Sequence, residues 1–335
     1  MNTINIAVIG AGHLGKNHVR ICNSLSGCKL VAVVDNNPAK AEEFGKQYNV
    51  PYYTEYPRIL DKVSAVSIVT PTSTHYRIAY DCIKRGIHTF VEKPITQTVK
   101  EGKELVALAK KYKVILQVGH IERFNPAFTA VSNDIKQPRF IESHRLSPLS
   151  FRSIDIDVVR DLMIHDIDIV LSLVNEKHPK VSATGVPVLT KQADIANARL
   201  VFPDGCVANL TASRISDKSM RKIRIFSRDT YASIDFLNHS AQVYRKSPDV
   251  PSPEKLLKNI DLSAIKDYQS MMRDKFLEVK EPEIKKVDQL ETELTSFINS
   301  IQNNKRPVVS GEDGLAALIV AEEIIHQIKK SAKIK

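Results

Sequence analysis

The sequence predicts an α/β protein in two parts. The first, over residues 1–120, is a doubly wound parallel sheet; the second, over residues 121–335, is an α+β unit with a large open antiparallel sheet. Three observations predict it. Short continuous apolar runs alternate with stretches of helical period through the first third of the chain. The first such run ends in a glycine pattern that opens a helix. From Arg139 onward, extended segments replace the alternation.

The elements follow in order. Ile4–Ile9 is an apolar run of the kind a buried parallel strand needs. It leads into Gly10, Ala11, Gly12, His13, Leu14 and Gly15, and then into a helix whose Leu14, His18, Ile21, Cys22 and Leu25 share one face. A second strand, Leu30–Val34, ends in Asp35. Strand, G-x-G-x-x-G, helix, strand and acid is the order of a Rossmann dinucleotide-binding unit. Gly10 permits the turn, Gly12 lets the backbone approach a pyrophosphate, and Gly15 lets helix and strand pack closely. The helix N-terminus offers free N–H groups to phosphates. Asp35 can accept hydrogen bonds from both ribose hydroxyls and would repel a 2′-phosphate, so NAD is favoured over NADP, with Lys40 the one nearby cation that weakens the preference.

The pattern repeats. Ala65–Val69 leads to Thr70, Pro71 and a helix through His75, Ile78, Ala79, Cys82 and Ile83. His88–Val91 leads to Glu92, Lys93 and Pro94, and a helix through Leu105, Val106, Leu108 and Ala109 precedes the strand Val114–Val118. Ligands of such sheets bind at the carboxyl ends of the strands, where Gly12, Asp35, Thr70, Lys93 and His120 all fall. The second part reads as strands at Arg139–Leu146, Lys180–Leu189, Asp194–Phe202, Val207–Ile215, Lys222–Arg228, Tyr231–Phe236 and Ala241–Arg245, with a hairpin turn at Pro203, Asp204 and Gly205. Residues 246–286, rich in proline and charge with some helical pattern from Glu254, read as an excursion or a flexible flap of no assigned role. Ser310 and Asp313 signal a helix start, after which Leu318, Ala321, Ile325 and Ile328 share a face.

Composition excludes several classes. Hydrophobic residues are 43% and charged residues 26%, so the chain is neither disordered nor fibrous. No apolar run nears the roughly 20 residues of a spanning helix. No charged segment precedes the first apolar run, so no signal peptide is expected and the expected setting is the cytoplasm, with the four cysteines as reduced, inert thiols. The net charge of +10 is dispersed, and no nucleic-acid-binding signature accompanies it, so it reads as a lysine-rich surface that would also attract an anionic small substrate.

Lys93, Asp161 and His165 are the candidate catalytic residues. Pro94 holds Lys93 extended at a strand end, where its ammonium can bind a substrate hydroxyl. Asp161, His165, Asp168 and Ser172 are spaced 4, 3 and 4 apart, a polar stripe opposite Val158, Leu162, Ile169 and Leu173. His165 has the intrinsic pKa for removing a hydroxyl proton near neutrality. Taken singly, each has a bland reading: a lysine before proline is usually a solvated loop residue, and an i, i+4 Asp–His pair is often a surface pair. A metal site is the other reading; Asp155, Asp157 and Asp166 crowd the region, but no third ligand stands at motif spacing, so none is expected.

Glu92-Lys93-Pro94 behind such a unit resembles the glucose-fructose oxidoreductase / inositol dehydrogenase / MocA family. Thr70-Pro71 with His75 is similar to the family's nicotinamide-side loop. The run Gly86–Pro94 resembles its approach to the catalytic lysine, Arg123–Pro126 its domain junction, and Asp161, His165 and Asp168 its catalytic helix. Val158, Val159 and Arg160 depart from it where many members carry glycines. The resemblance implies an NAD-dependent oxidoreductase oxidising a ring secondary alcohol. Its cofactor would be held by Gly10, Gly12, His13, Leu14, Gly15, Asp35, Thr70, Pro71, His75, Glu92 and Lys93. It also implies an open sheet face used for homodimer or homotetramer contacts, and a last helix, about 310–330, packed back on the first domain. The runs Val158–Asp168, Asp194–Leu200 and Asn209–Arg214 resemble a branch that oxidises UDP-N-acetylglucosamine to a 3-keto sugar for lipid A precursors. Arg145, Arg152, Arg160 and Arg214 are then candidate partners of a diphosphate, with His120 and Arg123 as further substrate-side candidates. Inositol or another free polyol is the alternative substrate, and a non-catalytic NAD-binding sensor or scaffold, or a metal-dependent hydrolase, the alternative class.

Overall fold

A computed structural model describes residues 3–150, 156–247 and 277–332. The first sheet is built from β1 (Ile4–Ile9), β2 (Cys28–Val34), β3 (Tyr52–Tyr53), β4 (Ala65–Ile68), β5 (His88–Glu92) and β6 (Leu116–Gly119). All its strands run parallel, in the order β3-β2-β1-β4-β5-β6. The order reverses between β1 and β4, and a crevice at the carboxyl ends there is where such sheets take ligands. Helices α1 (Gly15–Ser24), α2 (Pro38–Gln47), α3 (Thr72–Lys84) and α4 (Val99–Tyr112) form the crossovers. Because both faces are covered, Ile6, Val8, Val66 and Ile68 are all wholly buried. The starts of α2 and α4 are set locally. Asn37 accepts from the N–H groups of Ala39 and Lys40 with Pro38 in the first turn, and Thr98 and Glu101 make a reciprocal capping box.

The second sheet holds β7 (Phe140–Leu146), β8 (Lys180–Val186), β9 (Ile195–Val201), β10 (Val207–Ser213), β11 (Met220–Phe226), β12 (Thr230–Asp235), β13 (Ser240–Lys246) and β14 (Leu277–Lys280). Its order is β14-β13-β12-β11-β7-β10-β9-β8, antiparallel except where β7 and β10 run side by side. One face carries the core, including Ile141, Ala198, Leu210 and Ile223. The other stays open, with Phe226, Tyr231 and Tyr244 stacked across adjacent strands. A short helix, α5 (Pro126–Val131), and α6 (Ile164–Leu173) cover the core face.

Three features departed from the sequence pattern. The stripe of Asp161, His165, Asp168 and Ser172 does not lie on one regular helix: Val159–Met163 is a π-helical turn that shifts the phase before α6 begins. Nor are its members alike in burial: Asp168 is buried along with Ile167, Ile169 and Val170, whereas Asp161, His165 and Ser172 are half-buried. The third is a helix the periodicity reading passed over, α7 (Gln289–Gln302), capped by Asp288. It sends Leu294, Phe297 and Ile298 into the first sheet's core, where Phe297 meets Phe90 edge-on at 5.9 Å. The last helix, α8 (Gly311–Ala332), opens on the Ser310–Asp313 box, the Ser310 hydroxyl donating to the carboxylate at 2.8 Å. It touches α4 and β6 of the first sheet and α6 and β8 of the second, so it ties the two units. No helix among the described residues is long and apolar enough to cross a membrane, and the four cysteines are free.

Candidate active site

Two cavities meet at the carboxyl ends of β1 and β4. One, of about 610 Å³, is lined by Gly10, Gly12, Asp35, Lys40, Arg77 and Pro71 among others. The other, of about 540 Å³, is lined by Leu14, Lys93, Ile156, Arg160, Asp161 and Lys329 among others. Val69, Thr70 and Pro71 form the wall they share. A long ligand with a nucleoside end and a reactive end fits this pair of spaces.

The glycine turn passes the test such a ligand sets. Gly10 has φ +99°, and a Cβ there would stand 2.6 Å from the Val69 carbonyl oxygen. A Cβ on Gly15 would be 1.9 Å from the Gly10 oxygen, so helix and strand can pack only without it. At Gly12 a Cβ would meet nothing within 4 Å, which leaves open space against bare backbone where a pyrophosphate needs it. The Asp35 carboxylate accepts from the Ala11 N–H at 2.7 Å and the Asn37 N–H at 2.9 Å, which fixes it at the cavity edge. Arg77, a cation the sequence reading did not single out, lines the same cavity with Lys40. His13 is exposed beside the turn.

At the other end, β5 delivers Glu92 and Lys93, joined by a cis peptide bond to Pro94. Lys93 Nζ donates to the Asp161 backbone carbonyl at 2.7 Å and lies 3.9 Å from that residue's carboxylate. Burial lowers the lysine's pKa from its ordinary value, against the pull of Asp161 and Glu92. Burial opposes ionisation of Glu92 as well, but His18, 3.2 Å away, and Lys93 prevail and hold its pKa below the ordinary range. His165 lies one turn beyond Asp161, partly exposed, with Nδ1 buried. It is not in the cavity wall itself. Burial, then the Lys93 and Arg145 charges, hold its pKa well below 6.5, so the imidazole is neutral.

Several expected ligand contacts are not there. His75 is 1% exposed; its ring nitrogens face the carbonyls of Thr70 and Pro94, at 2.8 and 3.0 Å, so it braces the two loops from behind. His120 is likewise buried, behind Lys93. Arg145 cannot reach a substrate, because it is 2% exposed and spans Asp166, with two bonds of 2.9 Å, and Glu122, at 2.8 Å. Arg214 is held by Asp194 and Thr190, and Arg123 faces Asp168 and the Val308 carbonyl rather than the cavity. Arg160 does line the cavity, paired with Glu322 at 2.7 Å. Arg152 lies outside the described residues. Among the described residues no group of three or more candidate ligands could hold a metal. Two residues the sequence reading missed, Lys329 and Gln192, stand in the cavity wall. They come from segments far along the chain, and no local motif announces them.

A dinucleotide-shaped crevice with a lysine at its reactive end defines a nicotinamide-dependent oxidoreductase. The family comparison agrees: residues 4–120 match the GFO_IDH_MocA oxidoreductase family's NAD-binding Rossmann fold, and 157–335 its C-terminal alpha/beta domain. The chain belongs to this family and is an NAD-type dehydrogenase acting on CH–OH groups. It is 34% identical over 322 residues to UDP-N-acetylglucosamine 3-dehydrogenase of Acidithiobacillus ferrooxidans, covering 95% of each chain. The crystal structure of that protein superposes with a TM-score of 0.86 at 33% identity, over 98% of this chain and 99% of that one. The chain is also 26% identical to scyllo-inositol 2-dehydrogenase (NAD(+)) of Bacillus subtilis, over 95% of this chain and 92% of the relative.

Proposed function

We propose that the protein oxidises the C3 hydroxyl of UDP-N-acetylglucosamine to a ketone with NAD, Lys93, Asp161 and His165 acting on the reacting alcohol. The observation that carries this is the junction of Lys93, from the first sheet, with Asp161, from the second unit, at the wall of a cavity continuous with the glycine turn. NAD, when bound, takes up the carbon-bound hydrogen with its electron pair. Gly12 and the N-terminus of α1 would hold its pyrophosphate, and Asp35 its adenine ribose. Lys93 holds the reacting oxygen and favours its alkoxide. Asp161 keeps that ammonium in place through its carbonyl, and the neutral His165 takes the hydroxyl proton.

The substrate assignment draws on the relative at 34% identity and on the cations Arg160 and Lys329 at the cavity, which suit an anionic diphosphate. A 3-keto nucleotide sugar is the form an amination step in lipid A precursor synthesis would consume. The test is incubation with NAD and, separately, UDP-N-acetylglucosamine, UDP-glucose, myo-inositol and scyllo-inositol, with NADH absorbance as readout. Turnover of the UDP-sugar with an N-acetyl preference supports the reading, whereas turnover of the inositols alone would replace it with a polyol dehydrogenase. The open, aromatic-bearing face of the second sheet fits contact with a second copy, and light scattering on the purified chain would read a dimer or tetramer.

A further inference from the structure

Buried polar atoms without partners concentrate in one place. Among the described residues, seven of the eight such side-chain atoms belong to Gln117, His120, His165, Asp168 and Glu293. These residues pack together behind Lys93. Gln117, on β6, donates through Nε2 to the Glu293 carbonyl at 3.1 Å. His120 opens a 3₁₀ turn, Ile121–Phe124, that packs against both α6 and α7. Its ring stands at 86° to that of His165, with centroids 6.5 Å apart. Asp168 follows one turn after His165, and only one of its oxygens is engaged, at 3.5 Å from Arg123. Native interiors leave few such atoms without partners, and buried water commonly completes them.

We propose that this seam is a rear passage for the substrate proton, carried from His165 by His120 to Asp168 and away from the cleft. The inference rests on His165 being the base, as argued above. The substrate O–H bond breaks as an N–H bond forms on His165. The imidazolium then releases its Nδ1 proton, through one water, to a ring nitrogen of His120. His120 releases a proton from its other nitrogen, through a second water, to the free oxygen of Asp168, which becomes a carboxylic acid. No electrons travel this way; the electron pair of the C–H bond goes to the nicotinamide.

The surroundings suit each member. His120 faces Lys93, Arg123, Glu92 and Asp313, and burial and the two cations push its pKa down to about 3, so it passes a proton on rather than keeping it. Asp168 faces Arg123, Asp313, Lys177 and Glu293; burial lifts its pKa to about 7, so it can both take and release a proton near neutrality. Glu293, buried beside Glu92 and Asp168, is held well above the ordinary carboxyl range and stays a neutral acid. The rear of the seam lies near the surface: Asp313, whose charge acts on Asp168, accepts from Lys177 and Arg306, and the Arg306 side chain is 63% exposed. Seated cofactor and substrate would close the front of the cleft to water, which gives a rear outlet its use.

The test compares wild type with Asp168→Asn, Asp168→Glu, His120→Phe and His165→Asn, each first shown to be folded by circular dichroism. With NAD and UDP-N-acetylglucosamine, a single turnover and the steady state are followed in H₂O and D₂O. We expect Asp168→Asn and His120→Phe to keep the first turnover, to lose roughly tenfold or more in kcat, and to gain a solvent isotope effect on kcat that Asp168→Glu removes. Wild-type kcat and isotope effect in both variants would overturn the passage, as would a loss confined to KM. If His165→Asn keeps its first turnover, the base assignment itself is wrong. An infrared pH titration of the substrate-free enzyme adds a readout that needs no turnover: wild type should show a buried carboxyl titrating near neutrality that is lost in Asp168→Asn, and its absence from wild type overturns the proposal.

Discussion

Asp166 and Asp168 stand two positions apart on α6, and the clusters around them are built in opposite ways. Asp166 accepts two bonds from Arg145, whose third goes to Glu122, and Glu122 in turn accepts from Asn125 at 3.1 Å. The guanidinium also lies over the Phe236 ring, 5.8 Å from its centroid. Around Asp168 the partners run short, with one long contact to Arg123 and unmatched atoms on His120, Glu293 and Gln117. A saturated buried ion cluster holds a shape, since its charges have no capacity left for a ligand or a moving proton. An unsaturated one has that capacity and costs stability to keep. The difference separates structural charge from chemical charge along one helix.

The comparison can be broken or sharpened by substitution. The largest effect is expected at the reactive end: Lys93→Ala should lower kcat by roughly a thousandfold while the melting temperature hardly moves, measured by NADH formation and calorimetry. Near-normal turnover would remove the lysine from the chemistry. On the saturated side, Arg145→Leu leaves Asp166 and Glu122 buried and unpaired. It should cost about 3–5 kcal/mol of stability, read as a lower urea midpoint; a variant as stable as wild type would show the cluster to be dispensable.

The unsaturated side predicts a pH signature. Asp168 has its pKa raised from 3.8 to about 7 in the folded chain, so between those values the folded state binds the extra proton and stability falls as pH rises. Asp168→Asn should flatten this decline by up to about 4 kcal/mol, seen in melting temperatures collected across the acid-to-neutral range. Equal slopes in the two proteins would place Asp168 among the paired groups. The smallest effect is expected at the glycine turn. Gly12→Ala meets open space, so stability should change by no more than about 0.5 kcal/mol. NAD affinity should fall by roughly tenfold, about 1.4 kcal/mol, as measured by calorimetric titration. Gly15→Ala, whose Cβ would overlap the Gly10 carbonyl, should instead lose stability outright.

Much of this molecule is legible along the chain. Five of the six parallel strands and seven of the eight strands of the second sheet fall where apolar runs and alternation put them. The exceptions have reasons. β3 is two residues long, Tyr52–Tyr53, too short for any period to register. β14 comes after the proline- and charge-rich stretch and pairs only along the edge of β13. α7 carries a capping aspartate and an apolar face at helical spacing, so its signal is present in the sequence. Of the site, Gly10, Gly12, Gly15, Asp35, Lys93 and Asp161 were readable because motif spacing and chain geometry act over short distances. Arg160 was too, since it lines the cavity, but Arg123, Arg145 and Arg214 were not, because a sequence shows a cation and not its partner. Arg145 and Arg214 read as phosphate ligands until Glu122, Asp166 and Asp194, each at least 20 residues away, are seen to hold them.

What the sequence by itself determined is the pair of sheets, the glycine turn and the lysine at a strand end, since these follow from backbone preferences and the period of apolar side chains. Tertiary structure alone decided which buried charges are matched and which are left open, because pairing depends on distances between segments that periodicity does not encode. It also decided that His75 and His120 lie behind the cleft instead of in it, and that a helix from the far end of the chain closes the first core.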